Sequence, residues 1–265
     1  MAAFADGAPC WADVALPDLE AGKRFYGELF GWTFGPSRPE FHNYTQALRD
    51  DKAVAGLMPK PDGRMPTAWD IFFATSDAAA AAARIREAGG QVIEDAMAVG
   101  DLGTMSLAVD PGGAFFGVWQ PGEHKGFGLQ HEPGSYGWVE CWTRDAKAVD
   151  PFYEAVFGFG SVDYSDDAGL DFVVWTPAGQ PADAEHAALG RAVIDDSFPA
   201  ELPAHFLIYF MVDDCDAAVR TTTRLGGRVI REPQDTPHGR FAVLVDDQGA
   251  SFAVIDPSSK APSAT

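Results

Sequence analysis

Four times along the chain a short alternation of apolar and polar residues gives way to helix-like spacing. The first run, CWADVAL at 10–16, sets Cys10, Ala12 and Val14 on one side of a strand and Trp11 and Asp13 on the other. The same period of two sets Trp69, Ile71 and Phe73 against Asp70 and Phe72, and Val139 and Cys141 against Trp138, Glu140 and Trp142. In the fourth run Phe206, Ile208, Phe210 and Val212 oppose His205, Leu207 and Tyr209. Shortly after each run comes an aspartate: Asp18, Asp77, Asp145 and Asp214. At the start of a helix such a side chain accepts hydrogen bonds from the first free amides and complements the positive end of the dipole. The first predicted helix gathers Leu19, Phe25, Tyr26, Leu29 and Phe30 on one face and stops at Gly31. Ala-rich helices near 78–88 and 215–225 stop at Gly-Gly pairs, and further strands follow, with DPGG at 110–113 as a hairpin signal. The pattern predicts four modules on one plan: an apolar strand, a turn aspartate, a helix and further strands. The apolar strand faces pack beneath the helices, and the mixed aromatic and acidic faces line a cleft.

The modules are organised as a duplication. FYGELFGW at 25–32 matches FYEAVFGF at 152–159, and AGGQVI at 88–93 matches LGGRVI at 225–230. Asp110, Gly113, Phe116 and Pro121 align with Asp246, Gly249, Phe252 and Pro257. We therefore expect one domain over 1–122, a Gly- and Pro-rich linker over 123–135, a second domain over 136–258 and a disordered tail over 259–265.

Charge narrows the partners. The 265 residues carry a formal net charge of -20, which disfavours nucleic acid and anionic membrane surfaces. No apolar run is long enough to span a bilayer, and the opening MAAFADGAPCWADV lacks the basic and apolar regions of a secretory signal. Cys10, Cys141 and Cys215 form neither a zinc pattern nor a disulfide framework, so they read as buried free thiols and the location as cytoplasmic.

The strand–Asp–helix stretches ending in FYGELFGW and FYEAVFGF, the AGG and LGG helix ends and the DPGG and DDQG turns resemble the vicinal-oxygen-chelate superfamily. That group includes glyoxalase I, fosfomycin- and bleomycin-resistance proteins and extradiol dioxygenases. The chain is especially similar to two-domain bacterial members labelled as hydroxylases. The resemblance implies an α+β fold of four βαβββ modules forming two tandem glyoxalase-like domains, each an open, barrel-like curved sheet with helices outside and a ligand in its concavity. It also implies metal ligands at eight positions. Here those hold Trp11, Asp70, Trp138 and Leu207 on first strands and Gly56, Gly117, Gly190 and Ala253 on last strands. Only Asp70 is a donor, and a catalytic metal needs three or four. The expected site therefore has no metal, and the small last-strand residues are expected to leave open volume in the cleft.

An aromatic cleft suits a flat or bulky apolar ligand. Its expected walls are Trp11, Phe72, Phe115, Trp119, Trp138, Trp142 and Tyr209, with Asp70 and His205 as polar ligand contacts. Asp13 and Glu140 fall at matching places in the two halves and are candidate acid–base residues. His124 and His131 lie in the linker and read as solvated, whereas His42 is assigned to a second strand near Tyr44. These features favour a monomeric, metal-independent protein that binds an aromatic or apolar metabolite or antibiotic. The alternatives are a glyoxalase-like lyase, hydroxylase or dioxygenase with a rearranged Zn, Ni, Mn or Fe site, and a protein-interaction module.

Overall fold

A computed structural model describes residues 4–260. The expected tail over 259–265 therefore lies outside the described residues from 261 onward. The first module comprises β1 (Pro9–Leu16), α1 (Leu19–Phe30), β2 (Thr33–Phe34), β3 (Thr45–Arg49) and β4 (Lys52–Pro59). The second comprises β5 (Trp69–Ala74), α2 (Ala78–Glu87), β6 (Gln91–Val99), β7 (Gly103–Val109) and β8 (Phe115–Pro121). In the third are β9 (Tyr136–Thr143), α3 (Ala146–Phe157), β10 (Gly160–Asp163), the short α4 (Ser165–Ala168), β11 (Phe172–Thr176) and β12 (Leu189–Val193). The fourth holds β13 (His205–Met211), α5 (Cys215–Arg224), β14 (Arg228–Thr236), β15 (Gly239–Val245) and β16 (Ser251–Asp256). Strand order is β2-β3-β4-β1-β5-β8-β7-β6 in one sheet and β10-β11-β12-β9-β13-β16-β15-β14 in the other, and neither sheet closes into a barrel.

The helices start where the aspartates place them. Asp18, Asp77, Asp145 and Asp214 accept from the amides of Ala21, Ala80, Ala148 and Ala217. Gly31 and Gly158 end α1 and α3 in the left-handed conformation, at φ 70° and 71°. A side chain would be strained there, and glycine is not.

Packing divides the chain into two compact units that regroup the modules. One contains the residues up to Trp11, Asp70–Gly126 and Val139–Phe206, essentially modules two and three. The other contains Ala12–Trp69, Phe127–Trp138 and the residues from Leu207 onward, essentially modules one and four.

In the first unit α3 lies against the second module. Tyr153 and Phe157 meet Phe73 and Phe116, all four buried. Burying each such ring contributes roughly 1.5–3 kcal/mol. At the centre the Tyr153 hydroxyl donates to Asp110 Oδ2 at 3.1 Å, and the Cys141 thiol lies 3.7 Å from the same oxygen. Asp110 Oδ1 accepts from the amides of Gly112 and Ala114, so one carboxylate holds its own turn and the neighbouring module's helix.

The second unit repeats the device. Tyr26 on α1 donates to Asp246 Oδ2 at 2.8 Å, while Asp246 Oδ1 accepts from Gln248 and Ala250. The Trp69 indole N–H donates to the Tyr26 hydroxyl at 3.0 Å. Phe30 packs on Phe210, and Tyr26 packs on Phe252. The apolar strand faces thus lie beneath helices, as the alternation predicts. Cys10, Cys141 and Cys215 are buried free thiols.

Candidate functional site

Each module pairs its first and last strands in parallel, and the pairing brings the matching positions of all four into register. Asp13 stands opposite Gly56, Phe72 opposite Gly117, Glu140 opposite Gly190 and Tyr209 opposite Ala253. The three glycines do not leave the open volume expected from sequence. A Cβ on Gly117 would collide with the Phe72 ring, and one on Gly56 with the Tyr44 hydroxyl. One on Gly190 would come within 2.6 Å of the Phe172 ring and 3.1 Å of Glu140 Cγ. The glycines are small because neighbouring side chains lie across them.

Within the first unit two aromatic groups form on the strand face turned away from α3. The first contains Trp11, Phe72 and Trp119, all buried, and Phe115, half-buried. His124 joins it, against the expectation of a solvated linker histidine. Its ring lies edge-on to Trp11 at 4.3 Å, and its carbonyl accepts the Trp119 indole N–H at 3.0 Å. The residue is half-buried because the chain after β8 turns back across the indoles. The GEHKG composition gave no sign of that turn.

Asp70 shares the Phe72 face of β5. It is half-buried, and among the described residues no hydrogen bond or ion pair reaches its carboxyl. Burial alone pushes its carboxyl from the ordinary 3.8 up to about 7.

Because the folded-state value is raised, the folded protein holds the Asp70 proton between pH 4 and pH 7 more tightly than the unfolded chain does. Stability therefore falls as pH rises through that window, and the full cost is present above pH 7. The shift corresponds to about 4 kcal/mol, and solvent screening of a half-buried group lowers this to about 1–3 kcal/mol. Asp70→Asn should match the parent in urea unfolding near pH 4 and exceed it by about 1–3 kcal/mol at pH 8. An equal difference at both values would contradict the assignment.

The second group contains Trp142, Phe198, His205 and Glu140. The Trp142 indole N–H donates to Glu140 Oε2 at 3.0 Å. Trp142 meets Phe198 edge-on at 5.3 Å and lies parallel to the His205 ring at 6.5 Å. His205 Nδ1 lies 2.9 Å from the Pro203 carbonyl, which assigns the proton to Nδ1 and leaves Nε2 as an acceptor. Burial lowers the His205 value below the ordinary 6.5, favouring the neutral ring.

The remaining candidates fall in the second unit. Asp13 is buried, and the Tyr44 hydroxyl donates to its Oδ2 at 3.5 Å. Tyr209 is buried with its ring 6.0 Å from Phe241, and Trp138 is half-buried. His42 is exposed in a turn at φ 53° rather than in a strand. The alternation could not reveal Tyr44, Phe172 or Phe198, which lie on later strands and loops.

Of the eight positions at which the fold's metal enzymes place ligands, Asp70 alone carries a donor. Among the described residues no three of His, Cys, Asp and Glu converge as a metal set would. The residues present do not fit that metal.

Four βαβββ modules in two open sheets, with first and last strands paired beside aromatic faces, define a tandem glyoxalase-type α+β protein. The Glyoxalase/Bleomycin resistance protein/Dioxygenase superfamily profile matches residues 135–254, and a Glyoxalase-like domain profile matches residues 11–119. The chain belongs to this superfamily. It is 38% identical to the anthracycline biosynthesis protein DauV of Streptomyces sp. strain C5, over 100% of this chain and 98% of that one. Identity to the anthracycline biosynthesis protein DnrV of Streptomyces peucetius is 39%, over 97% and 95%. Among solved structures, the Mn(II)-bound glyoxalase from Novosphingobium aromaticivorans matches with a TM-score of 0.62 and 16% identity, covering 97% of this chain and 87% of that one. Among the described residues no helix is long and apolar enough to cross a membrane.

Proposed function

We propose that this chain is a small-molecule-binding protein that holds a flat aromatic ligand without a metal. One observation carries the reading. Where the fold's metal enzymes project glutamate, this chain has Gly56, Gly117, Gly190 and Ala253, and side chains of the chain itself lie across the three glycines. The faces so formed are rich in indole and phenyl rings and poor in metal donors, which favours stacking over coordination. The anthracycline biosynthesis names of two relatives point the same way, toward fused-ring aromatics.

Titration of the full chain with 9-anthracenemethanol, followed by tryptophan fluorescence, tests this. We expect saturable quenching with a Kd on the order of 1–100 μM, unchanged after EDTA treatment. Binding that disappears with EDTA and returns with a divalent metal would contradict the reading.

A second reading, an enzyme of the same fold, draws on Asp70. A carboxyl poised near neutrality is in the range that general acid–base chemistry uses. Asp13 and Glu140 would be further acid–base candidates in that case. Turnover of any substrate that Asp70→Asn abolishes while leaving binding intact would favour this reading over simple sequestration.

A further inference from the structure

We propose that Asp70 recognises a protonated amine, so that the ligand of the β5–β8 face is an aromatic molecule bearing an ammonium group; this rests on the aromatic-ligand reading above. Asp70 projects from β5 on the side of Phe72, opposite Phe73, whose ring packs against Tyr153 and Phe157. Among the described residues no hydrogen bond or ion pair reaches it, and β5, β6, β7 and β8 contain no lysine or arginine. Nor does the nearby indole satisfy it, since the Trp119 N–H is committed to the His124 carbonyl.

A carboxylate largely withdrawn from water is best tolerated when it is protonated, paired or coordinated to a metal. Asp70 has no cation of its own and no companion ligands for a metal. A ligand ammonium supplies what is missing: opposite charge and hydrogen-bond donors for the carboxylate. The same ammonium is attracted to the faces of Trp11, Phe72 and Phe115. The net charge of -20 also draws cations toward the protein and repels anions.

The test uses three probes that share one ring system: 9-(aminomethyl)anthracene, 9-anthracenemethanol and 9-anthracenecarboxylate. Each is titrated into the full chain and into Asp70→Asn at pH 8 and 150 mM salt, with the folded state of both confirmed by urea unfolding. We expect the amine to bind the parent about tenfold more tightly than the alcohol, and the carboxylate to bind weakest. In Asp70→Asn the amine should fall to the affinity of the alcohol, while the alcohol stays within about twofold of its parent value. Equal binding of amine and alcohol to the parent overturns the inference but leaves the aromatic reading standing. So does an amine preference that survives Asp70→Asn, because the surface charge then accounts for it. Failure of all three probes to bind folded protein overturns both.

Discussion

Asp110→Ala is expected to lower the unfolding free energy by about 3–5 kcal/mol. The carboxylate is 3% exposed and accepts from two turn amides and the Tyr153 hydroxyl. Alanine leaves those donors buried without an acceptor, each at about 1–3 kcal/mol, with partial relief where water enters. Asp110→Asn provides the informative contrast. It keeps one oxygen for the two amides, offers an N–H₂ group toward the Tyr153 oxygen and removes a charge that burial disfavours. Its cost should stay below about 1 kcal/mol. Asp246→Ala and Asp246→Asn should behave alike in the other unit, where Tyr26 takes the place of Tyr153. Urea unfolding at pH 7 measures all four. Equal costs for the alanine and asparagine variants would show that the acceptor does not organise the turn.

The second large effect concerns Gly117→Glu, the change that would restore a carboxylate where the fold's metal enzymes carry one. The new side chain must displace the Phe72 ring and bury a charge among Phe72, Phe115 and Trp119. Overpacking costs about 1–3 kcal/mol and an unpaired buried carboxylate adds a similar amount, so a loss of about 3–5 kcal/mol is expected. The variant should gain no zinc or manganese affinity, because Asp70 and the new glutamate together are still too few ligands. Gly117→Glu combined with Phe72→Ala should recover part of the stability, since the cavity then accepts the longer side chain. No recovery in the double variant would mean that Phe72 is not what fills the space.

Much of this architecture is legible in the sequence because its signals are local. An aspartate three residues before a free amide, a glycine after the last helical turn and a strict alternation of faces each act within one element. Four copies of that grammar identify the fold. The pairing of Tyr26 with Asp246 and of Tyr153 with Asp110 is not local. FY and the turn aspartates stand out as repeated motifs, but nothing in their spacing says that the first module's tyrosine meets the fourth module's turn.

The candidate site divides along the same line. Alternation assigns Trp11, Asp70, Phe72, Trp142 and His205 to the face away from the helices, and the structure keeps them there. It does not reveal what lies across a glycine, because that depends on strand register. Once Phe72 is set opposite Gly117 and Glu140 opposite Gly190, the expected open volume is gone. His124 escapes the sequence pattern for a related reason. A Gly-rich connection carries no periodicity, and only the fold of the chain after β8 brings that ring to Trp11.

The central claim, a metal-free aromatic site, is tested most directly by elemental mass spectrometry. The protein would be produced with added Zn, Ni, Mn and Fe and purified without chelators or a histidine tag. The account predicts each metal well below one equivalent per chain in protein that still binds 9-anthracenemethanol. Near-stoichiometric metal, lost together with ligand binding on chelation, would contradict it and make Asp70 part of a coordination site.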